Sequence, residues 1–325
     1  MKNKKNKLHF QLFILTILFL TFFGFLENSK AATKIFEYGF EDWTGDADTT
    51  PTYPFGTNSL TYWTQHEQVT EVVESCAVGG VTWTPHSGSE FFYTNAYDGE
   101  TDPCLGATGH VGTYNQYGLG AMTYGANGNF NYQDYINYEA GARELYTKFE
   151  IKFDPNWKTA SWVNGSGEPA TATNANLKIF RTYMRQDGSD GCILYLNNTT
   201  FMSFACTGEV AWSRGVNLLS AHSIDLLDGE WHQIAVWHKL QDTAGSGYGS
   251  VKIWVDDILT QDYADLALSL TDDDFEYSYF LNNFSAYYPT SHLSMALDDI
   301  EVWDGIPDES SDTTPPSAPS GLSVS

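Results

Sequence analysis

The sequence predicts an all-β protein, built as a two-sheet antiparallel β-sandwich. Aromatic residues make up 15% of the chain, and short strand-like segments recur between turns rich in Gly, Asn and Asp. No long amphipathic helix is evident from the spacing of apolar residues. Residues 32–304 carry these segments, and a sandwich domain can reach that length.

The N-terminus predicts a secretory signal. Basic residues at positions 2, 4, 5 and 7 precede an apolar run over residues 12–26, and Ser29 and Ala31 have the spacing of a cleavage site. The run is short for a membrane span, although an uncleaved anchor is the alternative. We therefore expect residues 1–31 to be removed, no membrane span in the mature chain, and an extracellular location.

The charge of the chain limits its partners. The net charge is −25, and loss of five Lys and one Glu with residues 1–31 gives −29. Such an acidic surface disfavours nucleic acid and anionic lipid as partners. A basic island nevertheless occurs, which indicates either a site for an anionic ligand or cations that offset neighbouring carboxylates. Its members are Arg143, Lys148, Lys152, Lys158, Lys178, Arg181 and Arg185.

Four cysteines in an exported chain predict two disulfides, Cys76–Cys104 and Cys192–Cys206. Cys192 and Cys206 lie symmetrically about the turn-forming residues 197–200, opposite one another in a predicted hairpin. Zinc is the competing interpretation, but no pair has the short spacing of a metal knuckle.

A second predicted hairpin points toward carbohydrate. Residues 230–240 and 250–259 alternate between apolar and polar and are joined by a Gly/Ser-rich loop. Ile234 and Val236 share one face, whereas Trp237, Lys252 and Trp254 share the other. Large aromatic side chains on the polar face of a sheet suit a sugar-binding surface. We expect glycan contacts from Lys148, Trp237, Lys252 and Trp254, together with Lys178.

The order of four C-terminal segments carries a family resemblance. The segments Glu230-Trp-His-Gln-Ile, Val251-Lys-Ile-Trp-Val-Asp256, Phe280-Leu-Asn-Asn-Phe284 and Leu297-Asp-Asp-Ile-Glu-Val302 resemble the second half of the concanavalin A-like jelly roll. They are most similar to alginate and glucuronan lyases and to laminin G-like lectin modules, over residues 144–303. The resemblance implies two antiparallel sheets, with a glycan held on the concave one.

The resemblance to the lyases also implies candidate catalytic residues. Their pattern places a lysine on the strand that matches residues 176–179, which is Lys178 here. Lys178 and Arg185 would neutralise a uronate carboxylate, and Tyr195 would act as base or acid in a β-elimination. Recognition of a glycan is the leading hypothesis, and a lyase and an extracellular module that binds protein are the alternatives.

Whether residues of this strand can contact a ligand depends on which face of the sheet each side chain occupies. If Leu177 and Ile179 point to the core, strict alternation turns Arg181 and Tyr183 inward as well. A β-bulge in the strand would reverse their orientation.

Jelly-roll modules often join their first and last strands through a calcium ion, and the resemblance implies Glu41, Asp42 and Asp298 as its ligands. Asp298, Ile300 and Val302 are spaced two residues apart on the predicted last strand, so their side chains should share one face. We therefore expect the side chain of Asp298 to point inward. The alternative is a carboxylate that accepts hydrogen bonds from backbone amides.

Other enzyme classes find little support in the sequence. The paired carboxylates of retaining glycosidases are missing, so a glycoside hydrolase is disfavoured. His232 and His238 share the parity of the core residues, which favours a packing role. Neither a nucleophile elbow nor a Walker-type loop is present.

Residues 312–325 resemble the linker and opening strand of a fibronectin type III module. We therefore expect residues 305–325 to be a linker followed by the truncated start of such a module. We therefore expect a monomeric module of a longer protein, whose main domain recognises a polysaccharide.

Overall fold

A computed structural model describes the central part of the chain. The described residues are 32–39, 70–95, 104, 123–124, 130–131, 136–137, 142–164, 169–170, 176–184, 191–197, 200–207, 212–241, 249–266, 268, 274–275, 277–284, 287–289 and 293–307. The predicted signal, most of the C-terminal tail, and the candidate residues Glu41, Asp42 and Arg185 lie outside them. No helix among the described residues is long and apolar enough to cross a membrane.

Two antiparallel sheets form the protein, as the sequence predicts. The first, sheet A, has eight strands among the described residues, which are β1 (Lys34–Tyr38), β2 (Thr70–Val73), β5 (Phe91–Asn95), β9 (Glu144–Phe153), β16 (Trp231–Lys239), β17 (Gly249–Val255), β18 (Ile258–Leu266) and β21 (Ser294–Trp303). Their order is β18-β17-β16-β9-β21-β5-β2, and β1 pairs with the C-terminal half of β21.

Sheet B has six strands among the described residues. They are β8 (Ile136–Asn137), β12 (Asn176–Tyr183), β13 (Gly191–Asn197), β14 (Phe201–Thr207), β15 (Trp212–Asn217) and β19 (Tyr277–Phe284), in the order β15-β14-β13-β12-β19-β8.

The remaining elements are short. Strands β3 (Cys76–Val78) and β4 (Val81–Trp83) form a hairpin, as do β6 (Thr123–Tyr124) and β7 (Phe130–Asn131), and β10 (Trp162–Asn164) pairs with β11 (Pro169–Ala170) and β20 (Tyr287–Pro289). A 3₁₀ turn spans Pro155–Lys158, and one helix, α1, spans Leu218–His222 in the described part of the chain.

Aromatic side chains fill the space between the two sheets. The ring of Phe149 on sheet A lies 6.2 Å from that of Phe180 and 5.0 Å from that of Phe280, both on sheet B. All three are fully buried. Burial of each such ring contributes roughly 2–3 kcal/mol, and Leu, Ile, Val and Met side chains fill most of the remaining core.

The alternation predicted for β16 and β17 is confirmed. Ile234, Val236, Val251, Ile253 and Val255 are buried between the sheets. His232 and His238 lie on the same inward side and are buried, as the parity predicts.

A β-bulge in β12 decides which side chains leave the core. Leu177 pairs with Leu196 and Lys178 with Tyr195, but the next pair is Phe180 with Leu194, so Ile179 is the extra residue. The alternation therefore restarts at Phe180, which is buried in the core. Arg181 then faces outward with Lys178, contrary to what strict alternation predicts.

A second bulge corrects the orientation predicted for Asp298. In β21, Asp298 pairs with Glu150, and the register shifts before Glu301 pairs with Lys148. Asp299 lies within this bulge at φ 45°. Because of the shift, Asp298 does not share a face with Ile300. Its side chain lies on the outward face of sheet A, together with that of Glu150. It is nevertheless fully buried, because the segment after β4 contacts it through His86 and Ser87.

Both predicted disulfides are present. Cys192 and Cys206 pair directly across β13 and β14 and are buried. Cys76 is bonded to Cys104 and anchors the β3–β4 hairpin. Beside this hairpin a second apolar cluster forms, made of Trp83, Phe91, Tyr93, Cys104 and Ala296.

Candidate functional site

The outward face of sheet B carries a row of three polar residues on neighbouring strands, which ends at a glycine on the fourth strand. Lys178 on β12 lies opposite Tyr195 on β13, which lies opposite Ser203 on β14, which in turn lies opposite Gly215 on β15. Directly paired side chains on one face have Cβ atoms about 5 Å apart. The structure therefore brings together Lys178 and Tyr195, two of the three predicted catalytic residues.

Two cations stand side by side on this face. Lys178 and Arg181 follow one another on the same side of β12 because of the bulge at Ile179. Neither forms an ion pair with a carboxylate within the residues that the structure describes, and the buried Nε of Arg181 has no hydrogen-bond partner there. Burial, together with the charge of Arg181, lowers the pKa of Lys178 to about 8. Burying the charge of Lys178 beside Arg181 costs free energy, and no carboxylate in the described part of the protein offsets that cost.

Two tyrosines lie beside these cations. The guanidinium of Arg181 stacks 4.0 Å from the ring centroid of Tyr183. That ring lies over Gly191, where an added Cβ would approach Tyr183 Cδ1 to 3.1 Å and the Thr182 carbonyl oxygen to 2.7 Å. Burial raises the pKa of Tyr195, and the charge of Arg181 partly opposes the shift. The Tyr195 hydroxyl is therefore protonated at neutral pH and can donate a hydrogen bond.

Phe201 extends this face and was missed at the sequence level. Its side chain is 39% exposed, and its ring lies over Gly215, where an added Cβ would approach it to 2.5 Å. A glycine paired with an exposed aromatic residue on a neighbouring strand is a known device for stabilising an edge strand. Phe201 pairs with Asn217, and Gly215 lies two residues before Asn217 on the same face, diagonally across from Phe201. The contact could be found only once this pairing was known.

The residues predicted to bind glycan do not form one surface. Lys178 lies on sheet B, whereas Lys148, Trp237, Lys252 and Trp254 lie on the outward face of sheet A. The expectation that all five share one sheet is therefore wrong. The sequence pattern identifies the outward face of each strand but does not identify the sheet to which the strand belongs.

The lysines on sheet A differ from Lys178 in having partners. Lys148 forms an ion pair with Glu301 at 3.0 Å, and Lys252 forms one with Asp262 at 3.3 Å. The pKa of Glu301 is lowered: burial opposes the shift, and hydrogen bonds and charge from Lys34 and Lys148 outweigh it. Of the basic island predicted from sequence, Lys148 and Lys158 offset carboxylates, whereas within the described residues Lys178 and Arg181 do not.

Asp298 lies at the junction of β1, β21 and the segment after β4. Its carboxylate accepts hydrogen bonds from the backbone N–H groups of His86 and Ser87, at 3.0 and 3.3 Å, and from Asp299 N–H at 2.9 Å. Gly39, at the end of β1, is so close that an added Cβ would lie 4.0 Å from Asp298 Oδ1.

The structure thus brings the end of β1 to Asp298, as the predicted calcium site requires, but the predicted ligands Glu41 and Asp42 fall outside the described residues. The described residues contain no group of three or more potential metal ligands. The amide hydrogen bonds satisfy part of the carboxylate, so a calcium ion at this junction stays a prediction.

Comparisons with known proteins identify only distant structural likenesses. No family model matches the chain, and no curated protein matches it. Among solved structures, the chain is similar to an endo-β-1,4-glucuronan lyase from the fungus Trichoderma reesei, with 13% identity and a TM-score of 0.42 over 83% of this chain and 95% of that one. It is also similar to an alginate lyase solved with an alginate tetrasaccharide, with 11% identity and a TM-score of 0.45 over 86% and 98%.

A botulinum neurotoxin serotype D/C binding domain is similar as well, with 9% identity and a TM-score of 0.42 over 85% of this chain and 49% of that chain. The chain thus spans about half of that toxin chain. At such low identities and TM-scores, none of these likenesses indicates what this protein binds.

Proposed function

We propose that the outward face of sheet B binds an acidic polysaccharide. The observation that supports the proposal is the pair of half-buried cations, Lys178 and Arg181, which lack a carboxylate partner in the described part of a chain with a net charge of −25. An anionic ligand would supply the missing counter-charge and favour the protonated form of Lys178.

A uronic-acid polymer fits the rest of the face better than a compact anion. Tyr195 and Ser203 continue the row from Lys178 and offer hydroxyl groups to sugar oxygens. Phe201, farther along, offers an exposed ring to the apolar side of a pyranose. A polymer with a carboxylate on each sugar and hydroxyls between them would use all of these groups.

The wider setting of the site agrees with this proposal. The predicted secretory signal, the two disulfides and the acidic composition suit a protein that works outside the cell. The strand order of a two-sheet sandwich suits a concanavalin A-like jelly roll, and we retain that family, the linker and the start of a fibronectin type III module as proposals.

Catalysis by β-elimination is a second candidate, favoured by the direct pairing of Tyr195 with Lys178. In such a reaction a base removes the proton from C5 of the uronate, the C4–O bond breaks, and a C4=C5 double bond forms. The leaving oxygen takes a proton from an acid. The cations of Lys178 and Arg181 would stabilise the charge that develops on the carboxylate, and Tyr195 would serve in proton transfer.

Native affinity electrophoresis in gels that contain alginate, glucuronan or polygalacturonate tests the binding proposal. We expect retardation by at least one of these polymers, weakened about tenfold in Lys178→Ala and in Arg181→Ala. The matched control is Lys158→Ala, which removes the same charge from an exposed lysine paired with Asp225. Retardation that is absent with all three polymers, or that the control weakens equally, would contradict the proposal.

The same polymers separate the remaining functions. A lyase generates unsaturated uronyl ends, which are followed by their ultraviolet absorbance. Tyr195→Phe should abolish that absorbance while weakening retardation less than Lys178→Ala does. Retardation without that absorbance indicates a pure binder. A protein-binding module would give neither result.

The calcium prediction has its own test. Titration of the calcium-depleted protein by calorimetry should show binding that Asp298→Asn weakens. No heat above the dilution control would leave the backbone amides as the partners of Asp298.

A further inference from the structure

The outward face of sheet A carries aromatic side chains from four neighbouring strands. In one cross-strand row, Trp303 on β21 lies opposite Tyr146 on β9, which lies opposite Trp237 on β16. Trp254 on β17 belongs to the next row. All four side chains are half-buried, so part of each ring reaches the surface. We call these four residues the aromatic face.

A small residue allows two of the rings to meet. Ala235 lies between Lys148 and Trp254 in its row and is only 2% exposed, although it is on the outward side of β16. The rings of Tyr146 and Trp254, on the strands to either side, approach to 5.9 Å at an interplanar angle of 60°. The contact between these two rings therefore bridges β16.

Hydrogen bonds hold two of the indoles in place. Trp237 Nε1 donates to Glu144 Oε1 at 2.8 Å, and Trp303 Nε1 donates to Glu301 Oε2 at 3.4 Å. The polar edge of each of these rings is therefore already satisfied. Lys34 Nζ lies 4.9 Å from the centroid of the Trp303 ring and occupies one of its faces, so the other face of Trp303 and the ring of Trp237 are the surfaces left for a ligand. A ring fixed in this way loses little conformational freedom on binding.

The charges around the aromatic face are balanced. Each of the four lysines near it has a carboxylate partner: Lys34 and Lys148 with Glu301, Lys239 with Glu144, and Lys252 with Asp262. This is the opposite of sheet B, where Lys178 and Arg181 have no carboxylate partner among the residues that the structure describes. A charged polymer would have to break these pairs, whereas an uncharged one can hydrogen-bond to their oxygen and nitrogen atoms.

We propose that the aromatic face is a second binding site, which takes an uncharged polysaccharide whose sugars present flat C–H surfaces, such as a β-1,4-linked glucan. Trp303 and Trp237 are two strands apart, which is about 9.5 Å, close to the length of two such sugars. The site lies on the opposite sheet from the proposed acidic site, and its existence does not depend on that site.

Native affinity electrophoresis with hydroxyethyl cellulose and barley β-glucan tests this proposal. We expect retardation that Trp254→Leu weakens about fivefold, since the aromatic contact is lost while apolar bulk is kept. Leu259→Ala is the matched control, because Leu259 lies directly beside Trp254 on the same face and is 42% exposed but not aromatic. Thermal unfolding confirms that each variant is folded, and Trp237→Leu gives a second test if Trp254→Leu is not.

The two proposed sites predict opposite patterns. Lys178→Ala should leave retardation by neutral glucans unchanged, and Trp254→Leu should leave retardation by acidic polymers unchanged. Failure of both neutral polymers to retard the protein would overturn the second site and leave the first intact. A concentration-dependent dimer that Trp254→Leu abolishes would also overturn it, since the face would then bind a second copy of the chain.

Discussion

His238 is a histidine buried in the apolar core, and its replacement by leucine should make the protein less sensitive to acid. The side chain is fully buried, and its ring lies 4.3 Å from that of Phe275 and just over 6 Å from those of Phe180 and Phe204. Within the described residues neither ring nitrogen has a hydrogen-bond partner. Burial lowers the pKa of His238 to about 3.

The size of the effect follows from the two pKa values. The unfolded chain binds a proton at His238 below its ordinary pKa of about 6.5, whereas the folded chain does not until the pH approaches 3. Stability therefore falls as the pH drops through this window. At pH 5 the difference is about 1.5 pH units, which at about 1.4 kcal/mol per unit gives about 2 kcal/mol.

Urea unfolding followed by tryptophan fluorescence measures this effect. The free energy of unfolding of His238→Leu, minus that of the unaltered protein, should be about 2 kcal/mol larger at pH 5 than at pH 7.5. Taking the difference between the two proteins removes the contribution of groups that both share. If that difference is the same at the two pH values, His238 is not the buried neutral group that the structure describes.

His232 provides a control of opposite sign. Burial lowers the pKa of His232, but its contacts with Asp256 at 2.8 Å and Asp228 at 3.1 Å raise it above its ordinary value. Its stabilising contribution is full below the unfolded pKa and is lost as the pH rises through the folded pKa. The variant His232→Gln should thus lose more stability at pH 5 than at pH 7.5.

Three further predictions test the site and its supports. Gly215→Ala should destabilise the fold by about 1–3 kcal/mol, because the new Cβ would meet the Phe201 ring at 2.5 Å and Ser203 Cβ at 2.8 Å. Urea unfolding of Gly215→Ala in a Phe201→Ala background should show a smaller loss, since only the Ser203 contact remains. Affinity for an acidic polymer should fall up to about tenfold between pH 7 and pH 9 as Lys178 loses its proton; calorimetry that shows constant affinity would argue against its role. Replacing Cys192 and Cys206 by alanine opens a loop with a sequence separation of 14 residues and should lower stability by about 2–4 kcal/mol in the same unfolding assay.

The predictable part of the fold rests on local periodicity. The alternation over β16 and β17 correctly predicts that Ile234 and Val236 are buried while Trp237 and Trp254 face outward. It succeeds because successive side chains of a regular strand point to opposite faces, so the apolar set must turn inward as a group. The disulfide of Cys192 with Cys206 was predictable for a similar reason, since both flank one turn.

The candidate site was predictable only in part. Lys178 and Tyr195 could be proposed from the likeness of the sequence to known lyases, but their direct pairing follows from the register of β12 and β13. Phe201 gave no signal in the sequence, because its contact with Gly215 depends on the diagonal packing of two strands.

The sequence alone determined the all-β class, the strands of the core and the outward faces on which the charged and aromatic residues stand. Tertiary structure decided which sheet each strand joined, and thereby placed Lys178 on the opposite side of the sandwich from Trp237. It also introduced the bulges at Ile179 and Asp299, which reversed the expected directions of Arg181 and Asp298. A bulge adds one residue to one strand and is set by the pairing partner, so a pattern within a single strand cannot reveal it.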